Sequence, residues 1–357
     1  VGSEMCIRDR DMFKYIAIIL ITVSLFCSCA QQKETTSAIP VILDTDVGND
    51  IDDVLAMQML LNYEKKGKID LLGITISKCN PYSLEYIDAY CRFNDKYDIP
   101  LGYAYNGMNT DDGHYLRQTL DTIIDNNKIL HPKRSLKDHI PEGYKLLRKL
   151  LAEQEDHSVV FIALGPETNL ARLLISEADE YSELDGKALV AQKVKLLSVM
   201  GGLYGNEFDF PEWNIANDLN AAQITFKEWP TPIIASGWEL GNKIRYPHQS
   251  ILNDFAGSYK HPLCVSYKIY QEMPYDRETW DLTSVLQAIE PGNNYFNLAE
   301  KGTITIDSIG QSIFSPSESG KHQYLTIQGE ENIRATRNAL ITVSYTHLRA
   351  HETSQDL

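Results

Sequence analysis

From residue 41 onward the chain alternates between two apolar periodicities. Runs of strand length, each ended by glycine or a polar cluster, lie at residues 41–43, 71–76, 99–103, 159–163, 194–200, 232–235 and 303–306. Between them, residues 82–93, 143–153, 168–175 and 216–226 carry apolar side chains at helical spacing. Strands separated by helices predict a mainly parallel sheet covered on both faces, because each crossover returns the chain to the same edge. No repeat and no linker after residue 40 divides the pattern. It predicts a single α/β domain with a mainly parallel sheet flanked by helices. Residues 106–141, rich in Asp, Asn and His, interrupt the alternation and read as a long loop or lid, or as solvated surface.

The ends depart from this pattern. Residues 15–26 are apolar, with Lys14 before them and Ser28-Cys29-Ala30 after. That length is short for a bilayer span and suits the core of a signal peptide. Cys29, followed by a polar stretch, resembles a bacterial lipoprotein cleavage and lipidation site, with an ordinary cleaved secretory signal as the alternative. Either implies export, the first as a periplasmic or outer-membrane lipoprotein anchored through Cys29. Residues 1–11 and 343–357 resemble translated sequencing-adapter read-through and are set aside. The expected organisation is a signal at 12–29, a linker at 30–39 and a domain at 40–342.

Composition narrows the function. Acidic residues outnumber basic ones 49 to 33, a formal net charge of −16. This excludes nucleic-acid backbone binding, which needs a basic face. It is compatible with an enzyme carrying a cation. Cys79, Cys91 and Cys264 form neither a disulfide framework nor a zinc motif and read as packing residues.

The chemistry gathers where predicted strands end. Val41-Ile42-Leu43-Asp44-Thr45-Asp46-Val47-Gly48-Asn49-Asp50-Ile51-Asp52-Asp53 puts five aspartates within ten residues, at the end of a strand and the start of a helix. Such carboxylates repel one another, and a bound cation resolves this; acidic helix capping is the alternative. Ligands of open α/β sheets gather at this same edge. Asn80 follows the second strand, and Leu164-Gly165-Pro166-Glu167-Thr168-Asn169 follows the fourth. Met200-Gly201-Gly202 leads into Asn206, Glu212, Trp213 and Asn214, whose amides, carboxylate and ring suit a vicinal diol. Each of these also reads as a turn or a polar loop. Asp281, after Trp280, opens a further helix that it is placed to cap.

Asp44-Thr45-Asp46-Val47-Gly48, followed by Asp52-Asp53-Val54-Leu55-Ala56, resembles the amino-terminal signature of the nucleoside hydrolase family, in which these acids hold calcium. Asn80, the Gly165-Pro166-Glu167-Thr168-Asn169 stretch and Asp281 follow in the family's order. The resemblance implies a Rossmann-like core and hydrolysis of the N-glycosidic bond of a ribonucleoside or similar riboside. It implies Ca2+ held by Asp46, Asp53, Asp281 and the backbone oxygen of Leu164, with Asp46 taking a proton from water. It assigns the sugar to Asn206, Glu212 and Asn214, with Met200 lining the pocket and Asn80 positioning the sugar or the water; the Trp213 ring is expected to cover an apolar face of the substrate. A small nucleoside and a second copy of the chain are the partners it implies.

Two departures stand out. The acidic loop is two residues longer than the common form, so either Asp50 or Asp52 faces the sugar. Trp280 stands beside the leaving group where purine-processing members carry histidine, and an indole cannot protonate a departing base. Tyr204 and His114 are the alternative donors. Two other readings stay open: a hydrolase of another glycoside on this scaffold, and a non-catalytic, calcium-dependent sugar-binding lipoprotein.

Overall fold

The computed structural model describes residues 38–205, 209–255 and 259–355, the last ten by their backbone. The expected signal with Cys29, residues 1–11, the linker up to residue 37 and Asn206 lie outside the described residues. The strands, in chain order, are β1 (Ile39–Thr45), β2 (Ile69–Ile76), β3 (Leu101–Tyr103), β4 (Ile123–Ile124), β5 (Asn127–Lys128), β6 (Val159–Ala163) and β7 (Val194–Met200). They continue with β8 (Ile233–Ser236), β9 (Arg245–Tyr246), β10 (Arg277–Glu278), β11 (Asn297–Leu298), β12 (Gly302–Ile306), β13 (Ser312–Pro316) and β14 (His322–Thr326).

The main sheet runs β13-β12-β14-β8-β7-β6-β1-β2-β3, with β11 beside β14. From β14 through β3 every neighbouring pair is parallel. Helices cover both faces, as the β1 side chains show. Val41 and Leu43 enter one core and Ile42 the other, all without solvent exposure. The same alternation divides β6, where Val160 and Ile162 face the first core and Val159 and Phe161 the second. Apolar residues at consecutive positions are thus required by two cores, and the predicted single α/β fold with a mainly parallel sheet is the one observed.

The structure differs from the sequence reading in three places. The helix expected at 216–226 is two helices, Trp213–Asn217 and Leu219–Glu228, separated by Asp218. Asp218 leaves helical geometry (φ −140°, ψ 71°), and its carboxylate accepts from the Ala221 N–H at 3.2 Å, capping the second helix. Residues 106–141 are not one loop, since they contain a helix, Leu116–Asp121, and the β4–β5 hairpin. Beyond β12 the chain adds antiparallel strands that the apolar pattern does not announce, because β13 has no fully buried residue and only Phe314 packs against a core. The helix Glu330–Gln355 passes residue 342 without a break, and Asn62 Nδ2 donates to the carbonyls of Val343 and Ser344, each at 2.7 Å. Cys91 and Cys264 are buried free thiols, and Cys79 is partly exposed.

Candidate active site

β1, β6, β7 and β8 are adjacent and parallel, so their carboxyl ends open onto one edge of the sheet. A cavity of about 610 Å³ lies there. Its floor is built by residues that follow those strands: Asp46 after β1, Leu164 after β6 and Met200 at the end of β7. Gly48 turns the chain beyond Asp46 with φ +127°, where an added Cβ would meet Leu116 Cδ1 at 2.5 Å, so the turn needs glycine. The helix Asp52–Lys65 then carries Asp52 and Asp53 in its buried first turn.

Asp281 arrives from a distant part of the chain. It is the second residue of the helix Trp280–Ile289, and Thr279 holds the N-cap position, which corrects the expectation that Asp281 caps the helix. Its N–H donates to Asp52 Oδ2 at 3.1 Å. One carboxylate oxygen from each of Asp52, Asp53 and Asp281 lies within 4.8 Å of the others. Calcium–oxygen bonds are about 2.3–2.6 Å long, so two oxygens sharing one ion lie at most about 5 Å apart. The trio fits that limit. Burial first, and then the neighbouring carboxylates, push all three acids well above the usual range. Among the described residues no lysine or arginine forms an ion pair with any of them. A hard divalent cation with oxygen ligands matches this donor set.

Asp46 is not among the carboxylates that meet within that distance, whereas Asp52 is. Of the expected set, Asp53 and Asp281 thus meet one another together with Asp52. Asp46 Oδ2 instead accepts from Asn49 Nδ2 at 2.6 Å and Asn109 Nδ2 at 3.0 Å. Burial pushes its pKa up to about 6, against the pull of Lys78. Asp53 Oδ1 accepts from Thr45 Oγ1 at 2.5 Å.

The sugar-side candidates converge in part. Glu212 caps the helix Trp213–Asn217: Oε1 accepts from the Asn214 N–H at 3.0 Å and Oε2 from the Gly202 and Ile215 N–H groups at 3.2 Å. Burial outweighs those bonds and raises its pKa to about 7. Asn214 Nδ2 donates to the carbonyls of Leu164 at 3.1 Å and Met200 at 3.2 Å, tying the ends of β6 and β7 together. Trp213 stands at the mouth, 57% exposed. Trp280 and Trp238 form the opposite wall, rings 6.3 Å apart, and Trp280 Nε1 donates to the Trp238 carbonyl at 2.8 Å.

Asn80 does not line the cavity. It caps the helix Pro81–Phe93 through Tyr82 N, and its amide reaches the Asp111 carbonyl and Asp112 Oδ1, each at 3.0 Å. It thus supports the segment that brings Asp111, Asp112 and His114 to the rim. Tyr204, the other proton donor considered, spends its hydroxyl on the Gly201 carbonyl at 3.1 Å.

Sequence reasoning missed Arg277, Trp238, Asn109 and Lys78. Arg277 lines the cavity and pairs with Asp50, Nε to Oδ1 at 2.8 Å. Arg277 stands three residues before Trp280, the one local signal that could have marked it, and nothing near Trp238 marks that residue. Lys78 and Asn109 carried a weak signal, one following a predicted strand and the other lying in a polar segment.

The family model described as inosine-uridine preferring nucleoside hydrolase matches residues 41–340. The chain is 27% identical over 221 residues to the pyrimidine-specific ribonucleoside hydrolase RihA of Escherichia coli (strain SMS-3-5 / SECEC), covering 58% of this chain and 62% of that protein. The RihA of Enterobacter sp. (strain 638) matches at 27% over 212 residues with the same shares. The chain therefore spans less than two thirds of the length of these curated relatives. In fold it is similar to the plant nucleoside hydrolase PpNRh1, with TM-score 0.64 and 18% identity over 86% of this chain and 99% of that one. It is also similar to an inosine-uridine preferring nucleoside hydrolase from Bacillus anthracis, with TM-score 0.62 and 15% identity over 85% and 99%.

Proposed function

The chain belongs to the inosine-uridine preferring nucleoside hydrolase family, and from that premise we propose that it hydrolyses the N-glycosidic bond of a ribonucleoside to free base and sugar. The observation that carries the reading is the trio of Asp52, Asp53 and Asp281 facing one cavity with Asp46. In this reading the trio holds Ca2+, with the Leu164 carbonyl as a neutral ligand. When bound, the ion would stabilise hydroxide and so make an adjacent water more acidic.

Asp46 accepts the water's proton, a role suited to a carboxylate whose proton affinity is raised toward neutrality. Asn214 and Glu212 meet the sugar hydroxyls, and the surrounding carboxylates favour the positive charge that develops on the sugar as the bond breaks. Asp52 rather than Asp50 is the acid that faces the sugar in this reading, because Arg277 holds both oxygens of the Asp50 carboxylate. The Trp280 N–H is spent on Trp238, so it gives the base no proton. His114, at the cavity rim, is the imidazole placed to do so.

The test is release of free base and reducing sugar from inosine and uridine, and of p-nitrophenol and reducing sugar from a p-nitrophenyl riboside, with calcium present. No turnover of any of them would overturn the proposal. A hydrolase of another glycoside or nucleoside-like compound on the same scaffold is the second reading, favoured by the Asp50–Arg277 pair and the tryptophan wall. For the amino-terminal segment we propose export with Cys29 as lipid anchor, tested by incorporation of labelled fatty acid that Cys29→Ser should abolish. Family membership also supports a homo-oligomer, which sedimentation would test.

A further inference from the structure

Lys78 follows β2, and its side chain has no solvent exposure. Its Nζ donates to Asn49 Oδ1 at 2.5 Å, Asn109 Oδ1 at 3.0 Å and Asp111 Oδ1 at 2.7 Å. An ammonium has three N–H donors and no acceptor, so these three oxygens use all of them. Asn49 comes from the extended acidic loop. Asn109 comes from the segment after β3, pinned where its carbonyl accepts from the Cys79 N–H at 2.7 Å. Each asparagine presents its oxygen to Lys78 and its NH2 to the same atom, Asp46 Oδ2. Turning either amide over would set N–H groups against the ammonium and a carbonyl against the carboxylate. Both contacts would then repel, so the lysine fixes the sense of both amides.

We propose that Lys78 is a positioning residue for Asp46: through Asn49 and Asn109 it holds the carboxylate by Oδ2 and leaves Oδ1 to receive the proton of the attacking water. The proposal rests on the reading of Asp46 as the base. Lys78 is not among the residues that line the cavity. Its contribution is orientation, and it should therefore enter kcat rather than KM.

The experiment compares wild type with Lys78→Met, the double variant Asn49→Ala with Asn109→Ala, and the triple combination. Misplacing a reacting group by an ångström costs about 10²-fold in rate, so Lys78→Met should lose about that much in kcat. KM should stay within about threefold, as for an interaction used only in the transition state. The double variant should lose a similar amount, and the triple variant should be no slower than Lys78→Met, since all three act as one unit. Losses that multiply, or a Lys78→Met enzyme with near wild-type kcat, overturn the proposal. If Lys78→Met does not fold, the double variant decides: an unchanged kcat would overturn the relay.

A crystal structure of the double variant or of Lys78→Met supplies a reading that needs no turnover. Asp46 should rotate or lose its Oδ2 contacts, and an unmoved Asp46 would overturn the relay. Wild type without activity on any riboside would overturn the assigned reaction instead, while the position of Asp46 in the variant would still decide the relay.

Discussion

Arg277 grips Asp50 with two hydrogen bonds, Nε to Oδ1 at 2.8 Å and a second from Nη2 to Oδ2. The guanidinium also lies over the rings of Tyr270 and Trp280, 5.0 and 5.1 Å from their centroids. The acid added by the longer loop is therefore part of the cavity wall, while Asp52 sits among the acids that converge. Asp50→Ala should release Arg277 and lower kcat/KM by about tenfold, mainly through KM. Asp52→Ala should cost about 10³-fold or more if, as proposed, it removes a metal ligand and a sugar contact together. Steady-state kinetics on one riboside gives the ranking, and the reverse order would return the sugar contact to Asp50.

Three buried carboxylates that repel one another should make the fold depend on its cation. Chelation should lower Tm, and added calcium should restore it, by about 4 kcal/mol at a thousandfold excess over Kd. Magnesium should restore less, since it demands a tighter octahedral shell. In Asp281→Asn the calcium-dependent gain should shrink. A Tm indifferent to chelator and calcium would remove the metal from this site.

Asp46→Asn should reduce kcat by about 10²- to 10⁴-fold, the usual worth of a positioned base. Stability should hold or rise. Burial raises the folded pKa of Asp46, so its ionised form is disfavoured in the native state, and an amide oxygen can still accept from Asn49 and Asn109. Paired kinetics and thermal melts check both halves; near wild-type turnover would take the base role from Asp46.

The leaving group separates the roles of Trp280 and His114. With the indole N–H spent, Trp280→Phe should leave inosine hydrolysis within about tenfold. His114→Gln should slow inosine by about 10²-fold or more while barely affecting a p-nitrophenyl riboside, whose leaving group needs no proton. Equal losses on both substrates would show that His114 does something other than protonate the base.

Acid stability should depend on Asp88, far from the cavity. Burial raises its pKa, but N–H groups of Lys133 at 2.6 Å and Arg134 at 3.0 Å, with the Arg134 guanidinium, overcome this and hold it below the usual carboxylate range. A depressed folded pKa means that this stabilisation is complete above the unfolded value and is lost as pH falls through the folded one. Asp88→Asn should cost about 2 kcal/mol at pH 7. The difference from wild type should close below about pH 4, near the unfolded value. A gap that stays constant across denaturation at pH 3 to 7 would contradict this.

Local pattern was sufficient for the sheet's order of business. Apolar runs at consecutive positions mark strands buried on both faces, and the turns that follow them hold Asp46, Leu164 and Met200 because the carboxyl ends of parallel strands open on one edge. Where the partner lies far along the chain, the sequence was silent. That Asp50 turns to Arg277 while Asp52 joins Asp53 and Asp281 depends on a helix more than two hundred residues away. That Trp280 donates to Trp238 and that Lys78 gathers Asn49, Asn109 and Asp111 are likewise choices made by packing. Residue type and period along the chain determine which face a side chain takes. Which of several equivalent carboxylates or amides receives a given donor is decided only when separate segments meet, because a hydrogen bond depends on distances of a few tenths of an ångström that one strand or helix cannot set alone.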